Sequence, residues 1–416
     1  MKQEAFNFDR EQEIMDFLQQ KFGPEVFSPG FERTRDVYSP FKEHFKKNQT
    51  KIIIIAGTNG KGQTAHTLGS FLRLEQKSFA LWTSPHILSI RERFTFGSSG
   101  NVTYEVTYNE LSATMKEAEL MIEKDLQRVR ISFYEFLFLV FLILAKKQKN
   151  LDCLILEVGL GGRLDAVNHF DADCTCITSI SRDHQGILGS RYDQILAEKI
   201  AVTRKNVPLY TNFKLQYLQE KTKEYIEKNN VIWRPIKSES EKVRHYFEEN
   251  QFMAWELFKF VINGTQRSFS EAISNIPTYK GRREIMTFQG KSLIFIGAHN
   301  TDGIRKMIQH LDMESELFSP EKVLVSFSQR PEGEVEVMLK SLVEYFNNGE
   351  DLVLTSFNHP KAMMEVTLRN ASLKINKGML NFVSDWKAEL KNSKSNTVLI
   401  CGSYYFIGEV QRFILS

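Results

Sequence analysis

The sequence predicts an α/β protein with two mainly parallel sheets, one in a larger N-terminal part and one in a smaller C-terminal part. Three observations support this prediction: strand-like and helical stretches alternate from residue 51 onward, the composition shifts at 276–283, and a second strand–helix series follows. A length of 416 residues suits two or three domains. We place the domains at 1–277 and 285–416, with a linker at about 278–284.

The predicted elements follow in chain order. The β-branched run KIIIIA at 51–56 is typical of a strand that is buried on both faces of a parallel sheet. Further strands are predicted at 78–82, 151–159, 174–180 and 207–210, and in the second series at 292–296, 322–327, 351–357 and 397–402. Helices are predicted at 63–75, 108–125, 132–146, 192–203 and 215–228, and the charged segment 234–275 is helix-rich.

The composition excludes several classes of protein. With 54 basic and 51 acidic residues, the net charge of +3 is too balanced for a protein that holds nucleic acid by its phosphates alone. No apolar run approaches the roughly 20 residues that span a bilayer, and the acidic N-terminus lacks a signal-peptide core. The four cysteines lack a CxxC spacing, which favours core positions over a metal site or a disulfide. We therefore expect a cytoplasmic monomer without nucleic-acid or membrane partners.

A glycine-rich turn, GTNGKG at 57–62, follows the first strand and precedes a helix. Glycines let backbone N–H groups converge on phosphate oxygens, the helix N-terminus adds partial positive charge, and a lysine reaches the outer phosphates. The spacing is shorter than GxxxxGK[ST], and Gly62 takes the usual Ser/Thr position. The turn indicates nucleotide binding, and a plain strand-to-helix turn with a surface lysine is the alternative.

Other chemically suitable side chains are expected at the carboxyl edge of the first sheet, where Lys61 also lies. Glu157 ends a buried strand, and His184 lies just past the end of the next strand. Ligands bind at this edge of open α/β sheets, so the three residues predict a catalytic or metal site. Taken singly, Glu157 also suits a helix cap and His184 a structural role. Lys199, on a later helix, is by itself expected to be a solvated lysine.

Together these stretches resemble the folylpolyglutamate/dihydrofolate synthetase branch of the Mur ligase family. The resemblance covers residues 51–410 and is carried, in the family's order, by AGTNGKG (56–62), TSPHI (83–87), RERF (91–94), SFYEF (132–136), EVGLGGRLDAVN (157–168), TSISRDHQGILG (178–189), AEKIAV (197–202), KGRREI (280–285), GAHN (297–300) and CGSYYFIGEV (401–410). It implies a P-loop N-terminal domain and a smaller Rossmann-like C-terminal domain.

The resemblance also implies an activity. The family joins a carboxylate to an amine at the expense of ATP, through an acyl phosphate that the amine of glutamate then attacks. We therefore expect an ATP- and Mg²⁺-dependent ligase that adds L-glutamate to a folate, with dihydrofolate synthase as the nearest related activity. A diverged paralogue that binds folate or nucleotide without turnover is the alternative. A generic P-loop NTPase ranks last, because the strand-end acid is Glu157 within GLGGR rather than a Walker-B aspartate.

Residue roles follow from the resemblance only. It implies nucleotide contacts by Gly57, Thr58, Asn59, Gly60, Lys61, Gly62, Thr64 and Arg282. It implies catalytic roles for Lys61, His184 and Lys199, and Mg²⁺ ligation by Ser84, Glu157, His184 and a carbamylated Lys199. It implies folate contacts by Thr83, Ser132, Tyr134, Leu164, Asp165 and Ala166. The ring of Tyr134 can stack on a flat heterocycle, whereas most aromatics of 133–141 are expected in the core.

The sequence departs from the family pattern at four positions. Gln63 replaces the hydroxyl residue that usually follows GKG, although Thr64 is adjacent. Met253 stands where an ATP-contacting asparagine is usual, Ile296 where an aspartate would hold the ribose, and Thr301 where proline is usual. Each lost hydrogen bond costs about 0.5–1.5 kcal/mol. The departures therefore predict weaker ATP binding or a changed nucleotide preference.

Overall fold

The structure is a computed structural model that describes residues 4–26, 28, 31–98, 103–125, 131–236, 246–277, 279, 281–315, 319–346, 351–376 and 380–416, with the backbone alone at 124, 125, 282 and 376. The chain divides into two compact units. The N-terminal unit comprises Met1–Lys242 and Phe247–Pro277, and the C-terminal unit comprises Val243–Tyr246 and Thr278–Ser416. The domain limits drawn from the sequence stay predictions.

Eight strands among the described residues form the sheet of the N-terminal unit, in the order β4-β3-β2-β5-β1-β6-β7-β8. Strands β2, β5, β1, β6, β7 and β8 are parallel neighbours, and β3 and β4 extend the sheet in antiparallel fashion. The bounds are β1 Lys51–Ala56, β2 Phe79–Trp82, β3 Phe94–Gly97, β4 Thr103–Glu105, β5 Cys153–Glu157, β6 Cys174–Ile177, β7 Pro208–Thr211 and β8 Ile232–Pro235.

Helices cover both faces of this sheet. Ile52 and Ile54 of β1 belong to one apolar cluster, and Ile53 and Ile55 belong to another, as the alternation of side chains along a strand requires. The helices of the unit are α1 Phe8–Phe22, α2 Phe31–Lys47, α3 Lys61–Leu74, α4 Tyr108–Asp125, α5 Phe133–Lys147, α6 Gln185–Leu188, α7 Tyr192–Ile200, α8 Gln216–Asn229, α9 Tyr246–Val261 and α10 Phe269–Ile273, with 3₁₀ turns at Ile90–Arg93 and Ala166–His169. Helix α9 belongs to this unit from Phe247 onward.

The C-terminal unit has its own sheet of six described strands, in the order β13-β12-β11-β14-β10-β9. All neighbours are parallel except β9, which pairs antiparallel with β10 at the edge. Its elements are β9 Arg282–Phe288, β10 Lys291–Ile296, α11 Thr301–Met313, β11 Lys322–Val325, α12 Glu332–Tyr345, β12 Leu352–Thr355, α13 Glu365–Asn376, β13 Asn381–Val383, α14 Trp386–Asn392, β14 Thr397–Cys401 and α15 Tyr404–Leu415.

The predicted fold class is confirmed, since both units are α/β with mainly parallel sheets. Each predicted strand overlaps an observed one; β1 has the predicted bounds, β10 begins one residue earlier than predicted, and most of the others are shorter than predicted. All four cysteines are buried free thiols, as core positions predict. None of the helices in the described ranges combines the length and the hydropathy that a bilayer crossing requires.

Candidate functional site

The glycine-rich turn joins the end of β1 to the start of α3. Gly57 and Gly60 have positive φ angles of 142° and 91°, a region that favours glycine. A Cβ atom on Gly57 would collide with Thr178, and one on Gly60 would collide with Asn250. Gly60 is the N-cap residue of α3, and no side-chain hydrogen bond caps this helix end. The turn therefore presents backbone at a helix N-terminus, the arrangement that suits a phosphate group.

The segment that follows β6 fixes the conformation of this turn. The Thr58 hydroxyl donates to the carbonyl of Ser181 (3.1 Å), and the backbone N–H of Asn59 donates to the Ser179 hydroxyl (2.9 Å). The Lys61 ammonium donates to the carbonyl of Thr58 (3.2 Å), so the lysine side chain folds back along the turn. The lysine is therefore placed beside the same backbone that would receive phosphates.

Gly62 and Thr64 lie in the first turns of α3 and are buried. The Thr64 hydroxyl donates to the carbonyl of Asn250 on α9 (3.4 Å). Thr64, the hydroxyl residue next to Gln63, thus bonds to α9 in this structure.

The acidic strand end meets the loop that follows β2. Strands β2, β5 and β1 are parallel neighbours, so their carboxyl ends come together. Glu157, the last residue of β5, is buried, and its Oε2 accepts the backbone N–H of Ser84 (3.1 Å). The structure thus brings together Ser84 and Glu157, two residues predicted to ligate Mg²⁺.

Asp165 organises the GLGGRLD loop after β5. Its carboxylate accepts the backbone N–H groups of Gly159 (2.9 Å) and Leu160 (3.1 Å). It also accepts the N–H of Val167 and the hydroxyl of Tyr134, both at 3.1 Å. Burial raises the pKa of the Asp165 carboxyl to about 6, and these hydrogen bonds oppose the shift. This predicted folate contact therefore also holds its own loop in shape.

The other residues predicted to contact folate lie around that loop. The Tyr134 hydroxyl accepts from Trp82 Nε1 (3.1 Å), and burial holds the pKa of Tyr134 well above its usual value. The Ser132 hydroxyl caps α5 through the backbone N–H of Glu135 (3.4 Å), and the Thr83 hydroxyl donates to the carbonyl of Glu92 (3.1 Å). Leu164 is half-buried and Ala166 is buried. The hydroxyls of Ser132 and Thr83 thus both have backbone partners within the protein.

The expectation that Lys199 is a solvated lysine is wrong, because this residue of α7 is only 4% exposed. Helix α7 packs against the GLGGRLD loop, where the backbone N–H of Arg163 donates to the carbonyl of Glu198 (2.9 Å). Burial lowers the pKa of Lys199 to about 7. Positive Lys61 lowers it further, whereas Asp183, among other carboxylates, opposes the shift. The positive charge of the phosphate-loop lysine thus contributes to the lowered pKa of Lys199.

His184 has the left-handed backbone conformation, with φ 49°, which is uncommon outside glycine. Its imidazole is half-exposed, and Nε2 lies 4.0 Å from Oδ1 of Asp183. The same oxygen accepts the backbone N–H of His184 (3.0 Å). Asp183 is a member of this site that the sequence reasoning missed, although its place just before His184 at a strand end was a usable signal.

Metal ligation by this set stays a prediction. Across the described ranges, no group of three or more His, Cys, Asp and Glu side chains is arranged to hold a metal ion. The predicted set includes a serine and a lysine, which are residue types outside that comparison.

The predicted adenosine positions are apolar and buried. Met253 is 1% exposed and packs against Cys176 in an apolar cluster of the N-terminal unit. Ile296 is 4% exposed at the end of β10, where it pairs with Arg282 of β9. The side chain of Arg282, the predicted phosphate contact, lies outside the described residues, as do Thr278 and Lys280 of the predicted linker.

Comparisons with known proteins agree with this architecture. No protein-family model matches the chain. The dihydrofolate synthase/folylpolyglutamate synthase of Buchnera aphidicola (subsp. Baizongia pistaciae) is 28% identical over 393 residues, which cover 88% of this chain and 87% of that protein.

Solved structures show the same fold. The Mycobacterium tuberculosis folylpolyglutamate synthase complexed with ADP superposes with a TM-score of 0.80 at 19% identity, covering 98% of each chain. A bifunctional folylpolyglutamate synthase/dihydrofolate synthase with Mn, AMPPNP and L-glutamate bound gives 0.76 at 24% identity, covering 97% of this chain and 98% of that one. In sequence and in fold, the chain is thus similar over nearly its whole length to dihydrofolate synthase/folylpolyglutamate synthases.

Proposed function

We propose that this protein is an ATP-dependent ligase that adds L-glutamate to a folate, with dihydrofolate synthase as a related second activity. The observation that carries the proposal is Lys199, a lysine only 4% exposed on α7, the helix that packs against the GLGGRLD loop. Burial of a lysine is unfavourable, and strongly perturbed ionisable groups cluster at functional sites. The burial of Lys199 therefore suggests a chemical role. The similarity to dihydrofolate synthase/folylpolyglutamate synthases supports the class of reaction.

The phosphate turn would bind the nucleotide through its backbone. The N–H groups at the start of α3 would donate to a phosphate, and Lys61 would add a full positive charge beside them. Charge builds up on the phosphoryl oxygens during transfer to the folate carboxylate, and Lys61 is placed to stabilise it. The glutamate amine would then displace phosphate from the acyl phosphate to form the amide.

The residues present fit Mg²⁺, which prefers oxygen ligands. The carboxylate of Glu157 is buried beside the Ser84 backbone, which fixes its orientation before any ion binds. We propose that Ser84 and Glu157 hold one ion, and that Glu157, His184 and Lys199 hold a second. When bound, Mg²⁺ would neutralise negative charge on the transferring phosphoryl group.

Lys199 would contribute to that second ion as a carbamate. An ammonium has donors only, so it cannot ligate a cation. With a pKa of about 7, a large fraction of Lys199 is free amine near neutral pH. The amine can attack CO₂ and release one proton, which leaves a carboxylate-like group with two oxygens.

The folate would lie along the GLGGRLD loop and the start of α5. We propose contacts from Thr83, Ser132, Tyr134, Leu164, Asp165 and Ala166. Because the hydroxyls of Thr83, Ser132 and Tyr134 already bond within the protein, the ring of Tyr134 is the stronger candidate for contact with the pterin.

A coupled assay of ADP formation tests the proposal. We expect ADP only when ATP, Mg²⁺, glutamate and a folate are all present. Lys61→Ala should abolish turnover with the fold intact, whereas Lys205→Ala, which removes an exposed lysine of the same unit, should leave turnover unchanged. ADP formation that ignores folate and glutamate would refute the ligase, and a full rate in Lys61→Ala would refute the role of the turn. Nucleotide binding without turnover would favour the diverged paralogue.

The cytoplasmic location and the monomeric state also stay proposals. Four free cysteines support a reducing compartment. Light scattering of the pure protein tests the monomer.

A further inference from the structure

A cavity of about 630 Å³ lies at the amino edge of the sheet in the N-terminal unit. Its walls come from the segments that enter three parallel strands: residues within 44–51 for β1, Lys77 for β2, and residues 148–152 for β5. The volume is within the roughly 300–1,000 Å³ that is typical of small-molecule sites. None of the described residues that we assign to nucleotide, metal or folate lines this amino-edge cavity.

Apolar and cationic side chains line the amino-edge cavity together. Three apolar side chains in its lining are buried: Phe45, Leu151 and Val261. Lys51, Lys77 and Lys149 also line it and remain accessible, with the side chains of Lys51 and Lys77 43% and 45% exposed. A cavity of this kind can hold the apolar part of a ligand against its buried residues while the lysines bind an anionic group.

The lysines of this cavity outnumber the carboxylates that could neutralise them. Asp152 Oδ1 lies 3.1 Å from Lys77 Nζ, and Asp173 Oδ1 lies 3.6 Å from Lys51 Nζ. Lys149 is exposed and forms no ion pair among the described residues. The cavity therefore keeps an excess of positive charge after its two ion pairs are counted.

His44, which lines the cavity in the last turn of α2, lies close to two more lysines. Burial lowers the pKa of His44, and the positive charges of Lys146 and Lys47 lower it further. Both lysines are exposed, in the last turns of α5 and α2, and neither forms an ion pair within the described ranges. An anion beside His44 would reduce the repulsion among these like charges.

We propose that the amino-edge cavity binds a small organic molecule that carries a phosphate group. A phosphate monoester has a charge of about −1.5 to −2 at pH 7, so it neutralises more of the excess positive charge than a single carboxylate does. Lysine ammonium groups bind phosphate as point charges, without a fixed geometry. The buried side chains of Phe45, Leu151 and Val261 contact the organic part, which distinguishes this ligand from free phosphate.

Proton NMR of the His44 ring tests the proposal, with phenyl phosphate as the probe. The His44 signals are identified as those missing from His44→Gln. We expect them to shift saturably over millimolar phenyl phosphate, and the pKa of His44 to rise, because a nearby dianion offsets Lys146 and Lys47. Probe at the phosphate turn does not reach His44, because the six residues of β1, about 20 Å of strand, separate the two edges. No nucleotide, metal or folate is added, so the outcome is independent of the ligase activity.

Inorganic phosphate and two charge-reversal variants complete the experiment. Inorganic phosphate should bind about tenfold more weakly than phenyl phosphate, because it lacks the apolar contacts. Lys149→Glu should weaken phenyl phosphate by about five- to tenfold. The matched control Lys223→Glu, which reverses an exposed lysine midway along α8, should leave binding unchanged.

Three results would overturn the proposal. Equal binding of inorganic phosphate would show that free phosphate, and not an organic phosphate, is the ligand. His44 signals that stay in place throughout the millimolar range would show that the probe does not enter the cavity. Equal Kd values for Lys149→Glu and Lys223→Glu would show that the probe follows the overall charge of the protein and not this group of lysines.

Discussion

The carboxylate of Glu92 holds the loop that carries two of the proposed ligand-binding residues. Glu92 Oε2 accepts the backbone N–H of Ile87 (2.8 Å). Glu92 Oε1 accepts the N–H groups of Leu88 and Ser89, both at 3.1 Å. The side chain is 9% exposed, so water competes little for these donors. Glu92→Gln should therefore disturb the loop that begins at Ser84.

The size of the effect follows from the bonds that are lost. An amide in place of the carboxylate turns one acceptor oxygen into an NH₂ group that faces a backbone N–H. Hydrogen bonds to a charged group are worth about 1.5–3 kcal/mol each, and the bonds that survive become neutral ones of about half the strength. We expect Glu92→Gln to lower the free energy of unfolding by about 2–4 kcal/mol. The KM for folate should rise as well. The Thr83 hydroxyl donates to the carbonyl of Glu92, so a shift of the loop would displace this proposed folate contact.

Urea unfolding, followed by tryptophan fluorescence, measures the loss of stability. Glu110→Gln is the matched control, because Glu110 also accepts a backbone N–H, that of Thr107 (2.9 Å), but at an exposed helix start. The control should lose less than about 1 kcal/mol. If Glu92→Gln is as stable as the wild type to within about 0.5 kcal/mol, the loop does not depend on this carboxylate.

Three further predictions concern the candidate site. In CO₂-free buffer, stability should rise above pH 7 through Lys199, because the unfolded chain keeps a proton that folded Lys199 has lost; the slope is about 1.4 kcal/mol per pH unit. Urea titrations at several pH values should show that Lys199→Met lacks this slope, and an equal slope would show that Lys199 titrates normally. Glu157→Gln and His184→Ala should each raise the Mg²⁺ concentration for half-maximal ADP formation, and unchanged Mg²⁺ titration curves would contradict the proposed metal ligands. Met253→Asn should lower the Tm without tightening ADP, because it places an amide in an apolar cluster; tighter ADP binding would return position 253 to the nucleotide site.

Much of the fold could be predicted because local patterns determine it. The run at 51–56 forms β1 with the predicted bounds, since its continuous β-branched residues suit only a fully buried strand. The linker at about 278–284 stays a prediction, and the structure shows that strand β9 begins at Arg282 within that range. That strand is held by antiparallel pairing with β10. Arg283 and Gln289, near its two ends, have positive φ angles that the sequence pattern does not predict.

At the candidate site, contacts between residues close in the sequence could be predicted, whereas contacts between distant segments could not. Lys199 follows Ile195 and Leu196 on the buried face of α7, so helical periodicity was an available signal that it is not solvated. Ser132 and Glu135 form a capping box, which the spacing S-x-x-E also announces. The bond between Gln63 and Asn250 has no such local signal, because only the packing of α9 onto α3 brings these residues together.

Mass analysis of the reaction products tests the central claim most directly. The pure protein would be incubated with ATP, Mg²⁺, glutamate and a panel of pteroates and folates, beside the same mixture without glutamate. The account predicts a product heavier than one of the pterin substrates by one or more glutamyl residues, with one ADP formed for each glutamyl residue that is added. ATP that is consumed with every pterin unchanged in mass, or a panel that is returned intact with no ADP formed, would contradict it.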